Sequence, residues 1–396
     1  MRRLTDIAWR FLVLGATSYG GPAILGVMQA ELQDRRQWLS RGRFVEGLSV
    51  VNMLPGATAT QLGILLGHVR GGWPGGLVAG LCFMLPAFGI MLGLAMAHAA
   101  LGLTPVARGA LHGLGPVVLG IFLVAVYRLG RSTVRSLAEV GLGLGAAAAL
   151  ATTRLGVASI LLAAGAIGVG LFHPRRRPLP LLGAGGVLLL ALLPAVWEPP
   201  AGLGSGSAGA TPPGLAEVAT FFLKVGAFTV GGGLTMIAFI QDQVVGQYRW
   251  LTPTEFLDGL ALGQLTPGPV LMLAAYVGYK LAGVGGAAVA TAAAFLPSFV
   301  IMMAVLPALD RLRRLPWVQA AMRGMGPAVI GVLAVALARL APHALPDPFA
   351  VAVLVVSVLA LGAWRIGPLP LMLVGALAGI ARGALGTGPA TRAGDA

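Results

Sequence analysis

The chain has 396 residues, of which 57% are hydrophobic and only 10% are charged. Soluble globular proteins carry about a quarter charged residues, so this composition excludes a soluble enzyme or binding domain and indicates a polytopic membrane protein. The formal net charge of +14 does not indicate a nucleic-acid partner, because the arginines stand in short clusters between apolar runs, where they act as topology signals. Cys82 is the single cysteine, and no metal or cofactor motif accompanies it.

Breaks at glycine and proline interrupt the apolar runs. About thirteen apolar segments, many of roughly twenty residues, predict an all-α membrane fold, because that length crosses a bilayer as a helix. Gly20-Gly21-Pro22 interrupts the first segment, and Asn52 with Pro55-Gly56 interrupts a later one. Such breaks leave backbone N–H and C=O groups that hydrocarbon cannot satisfy. We therefore expect both to line a site covered by protein or water.

The second half of the chain repeats the first. Gly15 aligns with Gly226, 211 residues later, and after one inserted residue Asn52 aligns with Gln264. Pro55-Gly56 then matches Pro267-Gly268, and one register holds for about a hundred positions. This pattern predicts two homologous halves.

Three regions follow from the repeat and from the composition between the halves. We expect an N-terminal repeat with additional linking helices over residues 1–197 and a C-terminal repeat over residues 215–396. Residues 198–214, rich in glycine, proline and serine, are expected to be a flexible linker between them.

Unequal positive charge in equivalent loops predicts that the repeat is inverted. Residues 28–43 contain four arginines, whereas the matching residues 240–254 contain only Arg249. Positive loops stay in the cytoplasm, so the two loops are expected on opposite sides. All the arginine clusters fall on one side only if residues 5–34 and 44–67 each enter the membrane and return. The expected fold thus has broken or re-entrant helical hairpins at the Gly-Gly and Pro-Gly motifs, two per half.

The hairpin tips are candidate contacts for a small anion. A helix that begins at glycine or after Pro-Gly presents free N–H groups and the positive end of its dipole. Close helix packing is the alternative explanation, since glycine permits it and the chain has 60 glycines. The candidate substrate-binding residues are Gly20, Gly21, Pro22, Asn52, Pro55, Gly56, Gln61, Lys224, Gly231, Gly232, Gly233, Gln264, Pro267, Gly268 and Pro269.

Two pairs of equivalent ionisable residues lie near the breaks. Glu46 and Asp258 are candidates for carrying protons, although an acid near a segment start also favours a helix N-terminus. Arg70 and Lys280 are candidates for drawing an anion towards the cavity, or they extend to lipid headgroups.

The paired signatures resemble those of the chromate ion transporter family in its long, two-domain form. They are Gly20-Gly21-Pro22 with Asn52-x-Leu54-Pro55-Gly56-x-x-x-x-Gln61, and Val230-Gly231-Gly232 with Leu265-Thr266-Pro267-Gly268-Pro269. The resemblance covers roughly residues 5–130 and 215–340. Ala57 departs from the family pattern, which more often reads Pro-Gly-Pro, so the first tip is expected to be less rigid than the second.

The resemblance implies a secondary transporter that exports chromate from the cytoplasm across the bacterial inner membrane. Membrane potential or proton-motive force would drive it, with protons as a candidate coupling ion. The expected partners are the oxyanion and the lipid bilayer, with homo-oligomerisation left open and neither nucleic acid nor cofactor. The alternatives are a transporter of sulfate or of oxyanions in general, and an anion channel; a membrane enzyme is not expected.

Overall fold

The computed structural model describes residues 2–19, 22–101, 104–153, 155–173, 213–230, 233–308, 315–364 and 366–385, which form helices and short turns with no strand among them. The first half contains α1 (Arg2–Thr17), α2 (Pro22–Met28), α3 (Arg41–Val51), α4 (Thr58–Leu101), α5 (Pro105–Thr133), α6 (Leu137–Thr152) and α7 (Val157–Phe172). The second half contains α8 (Leu215–Phe228), α9 (Leu234–Ile240), α10 (Pro253–Leu265), α11 (Leu273–Val305), α12 (Pro316–Ala344), α13 (Pro348–Gly362) and α14 (Pro368–Ala384). Helices α2 and α9 each continue as a π-helix, over Gln29–Arg35 and Gln241–Gln247.

The helix order is the same in both halves. Within the described residues each half has seven helices, and α5 and α12 begin at prolines 211 residues apart, Pro105 and Pro316. Proline suits the first turn of a helix because its missing N–H would have no partner there. Helices α6 and α7, expected to be additional linkers, have counterparts in α13 and α14. The repeat is therefore longer than the hundred positions that the sequence comparison revealed.

Helices α4 and α11 each fold sharply back on themselves. Gly72 in α4 has φ 63° and ψ −157°, and Gly283 in α11 has φ 61° and ψ −151°, a backbone conformation open essentially only to glycine. In the first half, the Cβ that Gly67 lacks would overlap the carbonyl of Gly75. The short segment before each turn thus packs directly against the long segment after it.

The short segments also pair with the helices that precede them. Lys280 of α11 binds Glu255 of α10 with an N–O distance of 2.7 Å, and Gly259 packs against the ring of Tyr276. Residue numbers rise along α10 as they fall along α11, so the two segments form an antiparallel hairpin with its turn at residues 266–269. Its base is at the Lys280 end.

The first half has two hairpins of the same kind. Phe11 of α1 and Met28 of α2 both lie within 4 Å of the Cβ that Gly63 lacks, so α1 and α2 lie side by side against the start of α4. At the base, the Arg70 guanidinium lies 5.7 Å from the Trp38 ring centroid. The loop before α3 and the turn within α4 are therefore at the same end of the molecule, which we call the arginine-rich end.

The two halves interlock through their long helices. Helix α5 packs between α13 and α14 of the second half, and α12 packs against α6 and α7 of the first. Gly113 lies against Gly379, and Gly324 lies against Gly168, with an added Cβ 3.0 Å or less from the facing backbone in both cases. Small residues at these crossings allow the backbones to approach closely.

The equivalent helices α4 and α11 also cross each other at the centre. Gly76 faces Met303, and Gly80 faces Phe299 at 2.5 Å from its would-be Cβ. From one contact to the next, the residue number increases in α4 and decreases in α11. The two equivalent helices therefore run in opposite directions where they touch.

Four helical stretches are long and apolar enough to cross a membrane, which agrees with the expected multi-pass protein. By length and composition they are Thr58–Leu101, Pro105–Thr133, Val270–Val305 and Pro316–Ala344. The turn at Gly72 divides the first of these, leaving the segment from residue 73 to residue 101 as the spanning part. At about 1.5 Å per residue that segment exceeds the roughly 30 Å hydrocarbon thickness.

Several expectations concern residues outside the described ranges. They include nearly all of the expected linker 198–214, its last two residues excepted, and the candidate site residues Gly20, Gly21, Gly231 and Gly232.

Candidate functional site at the helix breaks

The breaks of one half bind the breaks of the other. The Gly56 N–H donates to the Thr229 carbonyl at 2.6 Å, and the Gly268 N–H donates to the Ser18 carbonyl at 2.8 Å. Ser18 and Thr229 are equivalent positions of the repeat, and so are Gly56 and Gly268. Each Pro-Gly turn is therefore held by a residue just before the glycine break of the opposite half, and Gly56 and Gly268 are both buried.

These hydrogen bonds correct the expectation that both Pro-Gly turns offer free N–H groups. In this conformation the N–H groups of Gly56 and Gly268 are paired with carbonyl oxygens. Their φ angles, +124° and +99°, lie in a range that favours glycine, so glycine is required there for the turn itself. An anion could use either N–H group only by displacing a carbonyl of the other half.

Polar side chains surround the first Pro-Gly turn. The Ser298 hydroxyl accepts a hydrogen bond from the Ala57 N–H at 2.8 Å, and the Gln61 amide donates to the Pro55 carbonyl at 2.7 Å. A Cβ at Gly56 would lie 2.5 Å from the Ser298 oxygen and 2.7 Å from the Gln61 amide nitrogen. The turn is closely packed against groups that can hydrogen-bond to an oxyanion.

The second Pro-Gly turn has apolar surroundings instead. A Cβ at Gly268 would lie 2.7 Å from the Cβ of Ala87, which is the counterpart of Ser298. Pro269, the counterpart of Ala57, has no N–H to donate. The donor and the acceptor are thus both present at the first Pro-Gly turn and both absent at the second. Ala57 has a role here that proline could not fill.

Unused hydrogen-bonding capacity remains beside both turns, at Thr60 and Gln61 near the first and at Ser18 near the second. Gln61 is fully buried, and its Oε1 has no hydrogen-bond partner within the described part of the chain. The same holds for the hydroxyls of Thr60 and Ser18, which are 0% and 1% exposed. Buried polar atoms without partners cost free energy, so they are candidates for contact with a substrate or water.

The other candidate substrate residues differ in burial. Lys224 lies on the exposed side of α8, whereas its neighbour Gly226 is buried against α11, so Lys224 is not packed among the turns. Asn52 is exposed and Gln264 is half-buried. Pro55 is half-buried, and the buried members of the set are Gly233, Pro267 and Pro269. Pro22 opens α2.

The candidate charges lie at the bases of the hairpins rather than at the turns. Arg70 is exposed against Trp38, and Lys280 is bound to Glu255. Asp258 lies 3.4 Å from the His98 ring and is 16% exposed, whereas its counterpart Glu46 is exposed. The two acids have different surroundings, so the equivalence in the sequence does not extend to their environments.

Sequence reasoning missed Ser298 and His98. Ser298 is aligned with Ala87, so the repeat gave no indication of it. His98 contacts a helix of the other half, and no spacing in the sequence indicates that contact. Ser18 and Thr229 were detectable, because both halves carry a hydroxyl residue at the same point before the glycine break.

Comparison with known proteins agrees with the two-half architecture. The family model described as Chromate transporter matches residues 5–169 and again residues 216–380, so the same unit occurs twice in one chain. The chain belongs to the chromate transporter family. The matched regions include α6, α13 and most of α7 and α14, as the helix order indicates. The family consists of transporters and not of enzymes.

Relatives in this family are similar over most of their length. A probable chromate transport protein of Synechococcus elongatus is 31% identical over 386 residues, covering 95% of each chain. A chromate transport protein of Cupriavidus metallidurans is 33% identical over 348 residues, covering 87% of this chain and 84% of its own. One from Pseudomonas aeruginosa is 32% identical over 331 residues, covering 82% and 78%. No solved structure matches the chain.

Proposed function

We propose that this protein is a secondary transporter that exports chromate from the cytoplasm across the bacterial inner membrane. The observation that carries the proposal is the family match in both halves, together with relatives named as chromate transport proteins. The hydrogen bonds between the breaks of opposite halves support a substrate site between the halves. Sulfate is the alternative substrate, because chromate and sulfate are both tetrahedral dianions and N–H and hydroxyl groups can donate hydrogen bonds to either.

We propose further that the halves form an inverted repeat with two re-entrant hairpins each. The opposite directions of α4 and α11 at their crossing support this arrangement, because equivalent helices of a parallel repeat would run the same way. The contact between Arg70 and Trp38 supports re-entry, since it brings both bases of the first-half hairpins to one end. The arginine-rich end is then cytoplasmic.

Substrate binding at Gly56 would be coupled to separation of the halves. An oxyanion that accepts a hydrogen bond from the Gly56 N–H must displace the Thr229 carbonyl. The Thr60 hydroxyl and the Gln61 Oε1, which have no partner within the described residues, lie just after Gly56 on the short segment of α4. The Thr60 hydroxyl can donate to the anion, and the amide group of Gln61 can donate if it releases Pro55. Binding thus loosens one contact between halves, which is what alternating access requires.

Membrane potential favours the outward direction. Each elementary charge that crosses 100 mV is worth about 2.3 kcal/mol. A dianion leaving a negative cytoplasm therefore gains roughly 4–5 kcal/mol, which supports about a thousandfold gradient. Export needs no additional coupling ion, whereas uptake would need more than two cations per anion.

Labelled chromate uptake into inverted membrane vesicles tests the proposal. With the potential set by ionophores, chromate is expected to accumulate when the vesicle interior is positive, and excess sulfate is expected to compete weakly. Equal competition by sulfate would indicate that the protein is a general oxyanion carrier. Currents far above transporter turnover in planar bilayers would assign a channel, and no chromate movement would contradict the proposal.

Variants at the two turns locate the pathway. Gly56→Leu and Gly268→Leu are expected to reduce uptake by at least about tenfold, because each added side chain meets close neighbours in a backbone conformation that favours glycine. Gly89→Leu is the matched control, since the Cβ that Gly89 lacks would have no atom within 4 Å. Near-normal uptake by both turn variants would exclude these turns from the pathway.

A further inference from the structure

A cavity of about 240 Å³ lies at the end of the molecule opposite the arginine-rich end. It is bordered by the end of α4, the start of α5, the start of α10 and the end of α12. His98, His112 and His343 line it together with Arg108 and Asp258. Three of the five histidines in the chain therefore converge here from three different helices. We call this cavity the histidine pocket.

Basic groups already engage the acids around the histidine pocket. Asp258 lies 3.4 Å from His98, whose ring is also 3.3 Å from the Tyr276 hydroxyl. Asp347 lies 2.7 Å from Arg382 and 3.1 Å from His112. Burial alone would raise the pKa of Asp347, but hydrogen bonds from the Ala350 N–H and Arg382, with the charge of His112, hold it below its usual range.

The fixed charges near the pocket balance, so the histidines decide its sign. Four basic residues stand against four acidic ones: Arg108, Lys280, Arg339 and Arg382 against Asp242, Glu255, Asp258 and Asp347. They come from α5, α10, α11, α12, α14, the π-helix after α9 and the turn before α13. Every proton taken up by a histidine then adds net positive charge. Imidazole is the side chain whose charge ordinarily changes between about pH 5 and 8.

A metal ion is a poor occupant for this cavity. Among the described residues, no three histidine, cysteine or acidic side chains lie close enough together to hold one. The acids are bound to basic partners, whereas Arg108 and His343 are exposed at the cavity. The available groups are hydrogen-bond donors with positive or potentially positive charge, which suit an oxyanion.

We propose that the histidine pocket is a second oxyanion site, whose affinity rises as its histidines take up protons. In the transporter proposed above it would be the last site at which a chromate or sulfate ion binds before it reaches the external solution. Only this placement on the pathway rests on the proposed function. Binding itself is a separate property and does not require transport.

Equilibrium binding of labelled sulfate to the full-length protein in phosphatidylcholine nanodiscs tests the proposal. Sulfate stays a dianion between about pH 5.5 and 8, so a pH effect on its binding reports on the protein. The wild type is expected to bind about tenfold more tightly at the lower pH. The triple variant His98→Gln, His112→Gln, His343→Gln is expected to lose this dependence, and the control His173→Gln is expected to keep it.

Two further variants keep the test independent of folding defects and of transport. Arg108→Gln changes an exposed side chain and is expected to weaken sulfate binding at every pH. Gly56→Leu alters the first Pro-Gly turn and is expected to keep the pH-dependent component of sulfate binding even where chromate uptake is lost. Loss of the pH-dependent component in Gly56→Leu would assign that component to the first Pro-Gly turn and overturn the proposal.

Two other outcomes would also overturn it. One is unchanged pH dependence in the folded triple variant, judged by its size-exclusion profile. The other is loss of sulfate binding when phosphatidylglycerol replaces phosphatidylcholine, which would assign the pocket to an anionic lipid headgroup. A failure of chromate uptake with pH-dependent sulfate binding intact would contradict only the proposed function.

Discussion

Ala57 of the first half and Ser298 of the second form a donor and acceptor pair at the first Pro-Gly turn, and the second turn lacks such a pair. The Ala57 N–H lies 2.8 Å from the Ser298 oxygen in the interior of the protein. The equivalent pair, Pro269 and Ala87, has neither group. A proline at position 57 beside Ser298, or an alanine at position 298 beside Ala57, would break the hydrogen bond from one side. The departure from Pro-Gly-Pro at Ala57 is thus matched by a change in the residue facing it.

A double-mutant cycle measures this pairing. Ser298→Ala is expected to lower the free energy of unfolding by about 1–3 kcal/mol, because the buried Ala57 N–H loses its acceptor. Ala57→Pro removes the donor, and the double variant reproduces the pattern at the second Pro-Gly turn. We expect the double variant to be more stable than the sum of the single effects by about 1 kcal/mol, measured by denaturant unfolding in detergent.

Ser357→Ala is the control for this cycle, because Ser357 is also buried but bonds only to the Val353 carbonyl of its own helix. Its effect is expected to stay below about 1 kcal/mol and to add independently. Strict additivity of Ser298→Ala and Ala57→Pro would contradict the pairing.

At the scale of the helix, the turns inside α4 and α11 decide how the hairpins form. Gly72 and Gly283 adopt nearly the same unusual backbone conformation, and at neither would an added Cβ come closer than 4.0 Å to another atom. The requirement for glycine at these positions is therefore conformational rather than steric. In each half the turn lets a short helix lie against a long one.

A pair of neighbouring substitutions separates these effects. Gly283→Ala is expected to cost about 1–3 kcal/mol of stability, because alanine is strained in that conformation. Gly285→Ala lies two residues away in regular helix with no atom within 4 Å of the new Cβ, and is expected to be neutral or slightly stabilising. Equal thermal stability of the two variants would mean that the turn rearranges without strain.

At the scale of the whole molecule, the halves depend on each other for their cores. Helix α5 is enclosed by α13 and α14, and α12 is enclosed by α6 and α7. The close contacts of Gly113 with Gly379 and of Gly324 with Gly168 are related by the repeat. Neither half buries its central long helix without the other.

Cysteine labelling in intact cells tests the inverted orientation. Cys82→Ser removes the single cysteine, and new cysteines are introduced one at a time at exposed positions. Arg41→Cys and Arg70→Cys are expected to be protected from an impermeant reagent, because both lie at the arginine-rich end. Arg249→Cys is expected to react. A parallel repeat would leave Arg41→Cys and Arg249→Cys on the same side.

Hydropathy was sufficient to predict an all-helical membrane protein, and the resemblance of the paired Gly-Gly and Pro-Gly signatures was sufficient to indicate its family. Both follow from the order of residues along the chain, and the family match agrees with them. That α1 with α2, and α3 with the start of α4, fold back at the breaks stays a prediction, supported by Phe11 and Met28, which both lie beside Gly63, and by Trp38, which lies against Arg70. Pro-Gly and Gly-Gly breaks give local signals of this kind because they act on their own backbone.

Only the tertiary structure decided which groups meet. The pairing of Gly56 with Thr229, and of Ala57 with Ser298, joins residues about two hundred positions apart. The convergence of His98, His112 and His343 depends on the interlocking of three helices. Such contacts are set by how the two halves pack, and the same breaks and the same repeat are compatible with other packings. The sequence by itself determined where the helices break, and the packing of the halves determined what each break touches.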